Sequence, residues 1–314
     1  MVRVSRRTWL RSTAAGCVSA AAARVLADPL GFEVRAPIDP RSKFGLKYAP
    51  HFGMFRHHAG DDPVKQLEWM NAQGFTAIED NGMAGRSVDE QKRIAEAMER
   101  LGMEMGVFVV NGSTGFGRPT FTSGDEGQRG EFLESCKKAV EVAGRVRARW
   151  MTVVLGDYDH RLHPEVQTVN AIETLKRAAA VFEPHGLVMV LEPLNELHDH
   201  PGQFLTRSTQ AYLICKAVES PSCKILFDMY HQQITEGNLI PNIDRLYDEI
   251  GYFQVGDNPG RREPGTGEVN YRNIFRHLKN KDYAGILGME HGNARDGKEG
   301  ELAVVEAYRR CDEQ

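Results

Sequence analysis

Eight short apolar runs, each of strand length, recur along the chain with helical stretches between them, and no other feature restricts the fold as much. They occupy residues 44–49, 75–78, 103–110, 150–155, 187–191, 224–227, 252–255 and 285–289. Between them apolar residues return every three to four positions, as in Val64, Leu67 and Met70, then Ile94, Ala97, Met98 and Leu101, then Ile172, Leu175, Ala178 and Val181. Gly74, Gly102 and Gly186 stand where helices should stop before the next strand. Eight strand-then-helix units predict an α/β chain folded as a single (β/α)8 barrel over residues 44–314. A doubly wound open sheet is the main rival, but no Gly-x-Gly-x-x-Gly follows the first run. Gly112, Gly115 and Gly117 have the wrong spacing for that fingerprint or a P-loop, and fit a long mobile loop over 111–129, a candidate lid.

The N-terminus reads differently. Ser5-Arg6-Arg7-Thr8-Trp9-Leu10-Arg11 leads into a small-residue run and then Val25-Leu26-Ala27, an A-x-A-like cleavage pattern. Residues 1–27 are therefore expected to be a twin-arginine export signal and 28–43 a linker. The predicted location is periplasmic or otherwise extracytoplasmic, with a cytoplasmic protein as the alternative if the arginine pair is accidental. The apolar run falls short of the roughly 20 residues that span a bilayer, so no membrane association is expected of the mature form. Cys17 comes too early in that run for a lipoprotein site. Cys136, Cys215, Cys223 and Cys311 follow no metal-ligand spacing and read as reduced thiols. Twin-arginine export moves folded proteins, so a metal can be loaded before exit. A net charge of -4 gives no general attraction for nucleic acid.

In a barrel of this kind the active site gathers at the C-terminal strand ends. Run five ends in Glu192, run six in Asp228, run seven reaches Gln254 and run eight ends in Glu290. A lone acidic residue at a strand end is ordinarily a helix cap or an ion-pair partner. Four oxygen-bearing side chains in phase on consecutive strands converge on the barrel mouth instead. Carboxylates brought together and dried repel, so a cation is the natural compensation. Three carboxylates and an amide oxygen are hard ligands suited to Mg2+ or Mn2+. His231, three residues beyond Asp228, is placed to reach a substrate oxygen or to bond the loop backbone. His198-Asp199-His200 reads as a polar turn or a separate metal clip.

The stretches Glu192-Pro-Leu-Asn195, Pro201-Gly202, Phe227-Asp228-Met-Tyr230-His231-Gln-Gln-Ile-Thr-Glu236-Gly237, Gly260-Arg261-Arg-Glu263-Pro264 and Gly267-Glu268-Val-Asn270-Tyr271 resemble the hydroxypyruvate isomerase family of xylose-isomerase-like barrels. The resemblance is dense over 188–290. It implies a divalent metal, Mg2+ or Mn2+, held by Glu192, Asp228, Gln254 and Glu290. It also implies that the two glutamates are the acid/base pair, with His231 and Arg261 binding substrate. The implied reaction converts hydroxypyruvate to tartronate semialdehyde through an enediolate, with ketose 3-epimerisation or another sugar isomerisation as the alternative.

The chain departs from that pattern at Tyr48-Ala-Pro-His51-Phe-Gly-Met54-Phe, at His57-His58, and at His291-Gly-Asn where the family has Tyr and Pro. These departures leave the substrate open, and His51, His57 and His58 either line the pocket or are ordinary loop histidines. Endonuclease IV-like repair enzymes share some ligands but need histidines at earlier strand ends, where this chain has Glu79-Asp80-Asn81 and Asn111. A non-catalytic sugar-binding barrel is the remaining rival. The expected partner is a small hydroxy-carbonyl acid or sugar, not nucleic acid; a homo-oligomer is left open.

Overall fold

The computed structural model describes residues 44–112 and 115–313. The expected signal and linker, 1–27 and 28–43, lie outside them. Eight strands fall on the eight apolar runs: β1 (Lys47–Ala49), β2 (Ala77–Ile78), β3 (Glu104–Met105), β4 (Trp150–Val153), β5 (Val188–Leu191), β6 (Cys223–Asp228), β7 (Ile250–Gln254) and β8 (Ile286–Gly288). Six of them pair in the order β1-β8-β7-β6-β5-β4, and β2 pairs with β3 separately. All these ladders are parallel. Single parallel bridges, His51 with Glu79 and Val109 with Thr152, join the two pieces. The circuit closes, giving the (β/α)8 barrel that the alternation predicts.

Inside the ring a small cluster of buried residues packs together: Ala49, Ala77, Val107, Val188, Val190, Leu226, Tyr252 and Ile286. The intervening residues Met189, Leu191, Phe227, Phe253 and Leu287 pack outward into the larger core under the helices. Strand side chains alternate faces, so each inward residue is followed by another two positions later. Carried past the last apolar residue, that parity places His51, Glu79, Glu192, Asp228, Gln254 and, beyond Gly288, Glu290 on the inward face at one rim.

The helices begin and end where capping chemistry sets them. Asp62 accepts from the amides of Val64 and Lys65 at the start of the helix Pro63–Ala72. Ser87 caps Val88–Leu101, which stops at Gly102 with φ 64°. The expected loop over 111–129 is shorter than the sequence suggests, because Asp125 accepts from the Gln128 amide at 2.8 Å and starts the helix Glu126–Val146. Arg129 is thus helical and buried, donating to Thr174 Oγ1 at 2.9 Å. No helix among the described residues is long and apolar enough to cross a membrane.

His57 and His58 lie in the short helix Arg56–Ala59 and are drawn to a carboxylate of the last helix, Gly297–Asp312. The two backbone amides donate to the Glu301 oxygens at 2.6 and 3.0 Å. The Nδ1 atoms of the two rings lie 3.0 and 2.5 Å from the same oxygens. Burial alone raises the Glu301 pKa, but these contacts outweigh it and hold the carboxyl below its ordinary value. Its stabilisation is therefore complete above the unfolded pKa and lost as pH falls through the lower folded one. Glu301→Gln is expected to cost about 1–3 kcal/mol at neutral pH, and the difference should shrink in acid, at a pH below the lowered carboxyl pKa. Urea denaturation of both proteins at the two pH values checks this; a difference that persists in acid contradicts it.

Candidate active site

Asp228 is the last residue of β6 and also the N-cap of the next helix, Met229–Thr235, its Oδ1 accepting from the Tyr230 amide at 2.8 Å. The ordinary cap reading is correct and incomplete. Its second oxygen, Oδ2, faces the mouth, 3.2 Å from Arg261 Nη2 and 3.5 Å from His231 Nε2. His231 Nε2 also lies 3.7 Å from Glu192 Oε1. On the far side of the ring, Nδ1 accepts from Asn195, whose side-chain nitrogen is at 2.6 Å and backbone nitrogen at 3.4 Å. The donors on Nδ1 favour the neutral tautomer with its proton on Nε2, which faces the carboxylates and also lies 3.3 Å from Arg261 Nη2. Among the described residues, Glu192, Asp228 and His231 are the three His, Cys, Asp or Glu side chains whose ligand atoms come within 4.8 Å of one another.

Glu290 sits across the mouth. Its Oε1 accepts from Asn81 Nδ2 at 2.7 Å and its Oε2 from Arg261 Nη2 at 2.8 Å. Arg261 reaches in from the loop after β7, its guanidinium stacked 4.8 Å over the Tyr230 ring. Asp257, fully buried, fixes that loop by accepting from the amides of Gly265, Gly267 and Val269 at 2.8, 2.9 and 3.0 Å. Gln232 and Glu236 brace the opposite side, accepting from Ser208 N at 3.1 and 3.0 Å. Much of the motif set in the sequence is thus scaffolding for the rim.

Glu79, Glu192, Asp228 and Glu290 all have carboxyl pKa values held above the ordinary range, through burial in each case. For Glu79 and Glu192 the charge of Glu290 adds to it. Arg261 pulls Asp228 and Glu290 the other way, and those carboxylates in turn keep its guanidinium firmly charged. His231 is held well below its usual value, by burial first and then by Arg261. One guanidinium among three buried carboxyls and the partly exposed Glu290 leaves negative charge to be compensated when they ionise. Gln254 Oε1 is buried and has no hydrogen-bond partner. An orphaned amide oxygen beside dry carboxylates fits a hard divalent cation, which takes oxygen ligands of this kind.

Of the residues predicted from sequence, the structure brings Glu192, Asp228, His231, Arg261 and Glu290 into one contact network, with Gln254 paired in register to Asp228. His51 also lies at the mouth, in a cleft with Asn81, Arg86 and Glu290. His57 and His58 do not, being held by Glu301. His291 points out of the site, its Nε2 at 2.9 Å from the Tyr308 hydroxyl, and burial pushes its pKa down to about 3. His198, Asp199 and His200 form a turn on Asn195, with His200 ring-to-ring against His231 at 5.3 Å. The sequence sets Glu79 and Asn81 at the end of the second strand, but they are not counted among the site residues expected from it. The same count of two from Ala77 that yields Glu192 from Val190 would have found both.

A closed parallel barrel with buried carboxyls, an amide, an imidazole and a guanidinium converging at the C-terminal rim defines a barrel with a small-molecule site there. The chain belongs to the xylose isomerase-like TIM barrel family, whose model matches residues 67–313. It is 33% identical over 165 residues to the hydroxypyruvate isomerase of Escherichia coli (strain K12), covering 52% of this chain and 64% of that protein. It is 31% identical over 182 residues to the 2-oxo-tetronate isomerase of Cupriavidus necator, covering 58% and 69%. The match to the E. coli protein thus spans less than two thirds of its length. Among solved structures, an AP endonuclease, family 2, from Brucella melitensis superposes with TM-score 0.70 at 23% identity, covering 84% of this chain and 99% of that one. The E. coli 3-keto-D-glucoside 4-epimerase gives 0.68 at 19%, covering 85% and 98%. At these identities the two structures establish the fold.

Proposed function

We propose that this chain is a divalent-metal-assisted isomerase of small hydroxy-carbonyl acids, interconverting hydroxypyruvate and tartronate semialdehyde or the corresponding four-carbon pair. The observation that carries it is the pair of carboxyls at one rim, Glu192 against His231 and Glu290 against Arg261. The hydroxypyruvate and 2-oxo-tetronate isomerases among its relatives support the substrate class.

A cation held by Glu192, Asp228, Gln254 and Glu290 would supply charge neutralisation and Lewis acidity for adjacent substrate oxygens. One glutamate removes a proton from the carbon bearing the hydroxyl, giving an enediolate; the other returns a proton to the neighbouring carbon while the hydroxyl proton passes to the former carbonyl oxygen, so that carbonyl and hydroxyl exchange places. Glu290 is clamped by Asn81 and Arg261, so its carboxylate is oriented before substrate arrives. His231 presents Nε2–H to a substrate oxygen, fixed in that tautomer by Asn195. Arg261 offers a guanidinium to the acid end of the substrate. The same groups would epimerise a ketose at C3, the second reading.

Incubation of the metal-stripped and Mn2+-reloaded chain in D2O with hydroxypyruvate, 2-oxo-tetronate and a panel of ketoses, followed by NMR, tests this. Metal-dependent product and deuterium uptake with either acid are expected. Uptake with ketoses alone would replace the acid isomerase by a sugar epimerase, and metal binding without turnover on any substrate would make the barrel a binding protein. Export by the twin-arginine route is proposed on the leader sequence alone.

A further inference from the structure

Glu79 takes no part in the proton transfers above, yet the chain buries it inside the barrel mouth at 1% exposure. Both of its oxygens are engaged by β7. Oε2 accepts from the Tyr252 hydroxyl at 3.0 Å, and Oε1 accepts from Gln254 Nε2 at 3.2 Å. Tyr252 and Gln254 are successive inward residues of that strand. Two neighbouring positions are glycine to make room. A Cβ on Gly288 would sit 1.8 Å from Glu79 Oε2, and one on Gly106 would sit 2.3 Å from the Tyr252 hydroxyl oxygen. Side-chain space has been given up on two sides of the barrel to admit this carboxylate.

The two ends of a glutamine amide have nearly the same size and opposite chemistry. A cation requires the oxygen end, and nothing in the shape of Gln254 alone selects it. The donors Gln254 and Tyr252 favour the ionised form of Glu79 against its burial; in that form it only accepts, so it takes the NH2 group and turns Oε1 away from itself, where that oxygen is buried without a hydrogen-bond partner. A carboxylate at position 254 would instead stand against Glu79 and be repelled. We infer that Glu79 is a positioning residue which sets the amide of Gln254 oxygen-first towards the cation, with Tyr252 locking Glu79 in place. The inference rests on the divalent-cation reading of the site, and it explains why β7 supplies an amide where its neighbours supply carboxylates.

The test is Mn2+ binding to the metal-stripped full chain, read from the EPR signal of free Mn2+, with thermal denaturation alongside. Glu79→Gln keeps the volume but can present either amide end to Gln254. Its Mn2+ dissociation constant is expected to rise roughly ten- to a hundred-fold, the usual cost of losing a group that orients a metal ligand, and kcat at saturating Mn2+ should be recovered to a larger extent than affinity. Tyr252→Phe, which keeps the ring in the core and removes the lock alone, is expected to give a smaller rise and decides the matter if Glu79→Gln does not fold. Unchanged affinity in the folded variants, or a lowered Tm with unchanged affinity, assigns Glu79 to packing and overturns the inference. If the unmodified chain binds no Mn2+, this inference and the cation reading fall together; if it binds and the variants bind equally, only this inference falls.

Discussion

Turnover by Glu290→Gln is expected to fall by about 10^2- to 10^4-fold, the usual share of a positioned acid or base. The substitution preserves volume and leaves an amide oxygen for Arg261 but also removes a charged ligand of the proposed cation, so turnover is compared at saturating Mn2+ to separate proton transfer from metal affinity. Glu192→Gln should lose a comparable amount. The two variants need not fail at the same step, and deuterium wash-in separates them. A variant that still exchanges the carbon-bound proton of substrate with D2O but makes no product has lost the returning acid. One that does neither has lost the base. Full turnover in Glu290→Gln would remove this residue from the chemistry and with it the two-carboxylate scheme.

The second large effect concerns stability. Arg261 Nη2 contacts Asp228 at 3.2 Å and Glu290 at 2.8 Å, Asp228 being fully buried and Glu290 partly exposed at the rim. Breaking a buried pair by deleting one partner strands the other charge, at about 3–5 kcal/mol. Arg261→Met is expected to lose an amount of this order in the metal-free chain, measured by urea denaturation in the presence of a chelator. Mn2+ should then raise the Tm of the variant by more than that of the unmodified protein, because the cation takes over part of the missing charge. Equal metal-free stabilities would mean that the carboxyls are neutral in the resting site and that Arg261 serves substrate only.

What the sequence makes legible here follows from period two. Val190 to Glu192, Leu226 to Asp228 and Tyr252 to Gln254 are each a buried inward residue followed by the next inward one, and an apolar run ending in an oxygen-bearing side chain displays that pattern. Ala77 to Glu79 has the same spacing but was hidden. β2 is only two residues long, and its run ends in three polar residues, Glu79-Asp80-Asn81, of which parity alone picks the inward pair. The pairing of His57 and His58 with Glu301 spans more than two hundred positions and depends on the last helix returning beside the first. No local pattern carries such information. The early end of the lid segment was legible in principle, since Asp125 three residues before Gln128 is a cap signal.

The barrel wall is not a uniform hoop. Its six-strand arc is laced by continuous ladders, whereas β2 and β3 form a narrow panel held at each edge by one bridge. The joint on the β1 side is Glu79 itself, whose amide donates to the Pro50 carbonyl at 3.0 Å. Any opening of this panel would carry the Glu79 carboxylate away from Gln254, so under the proposed reading the hold of the rim on a cation depends on the thinnest part of the wall.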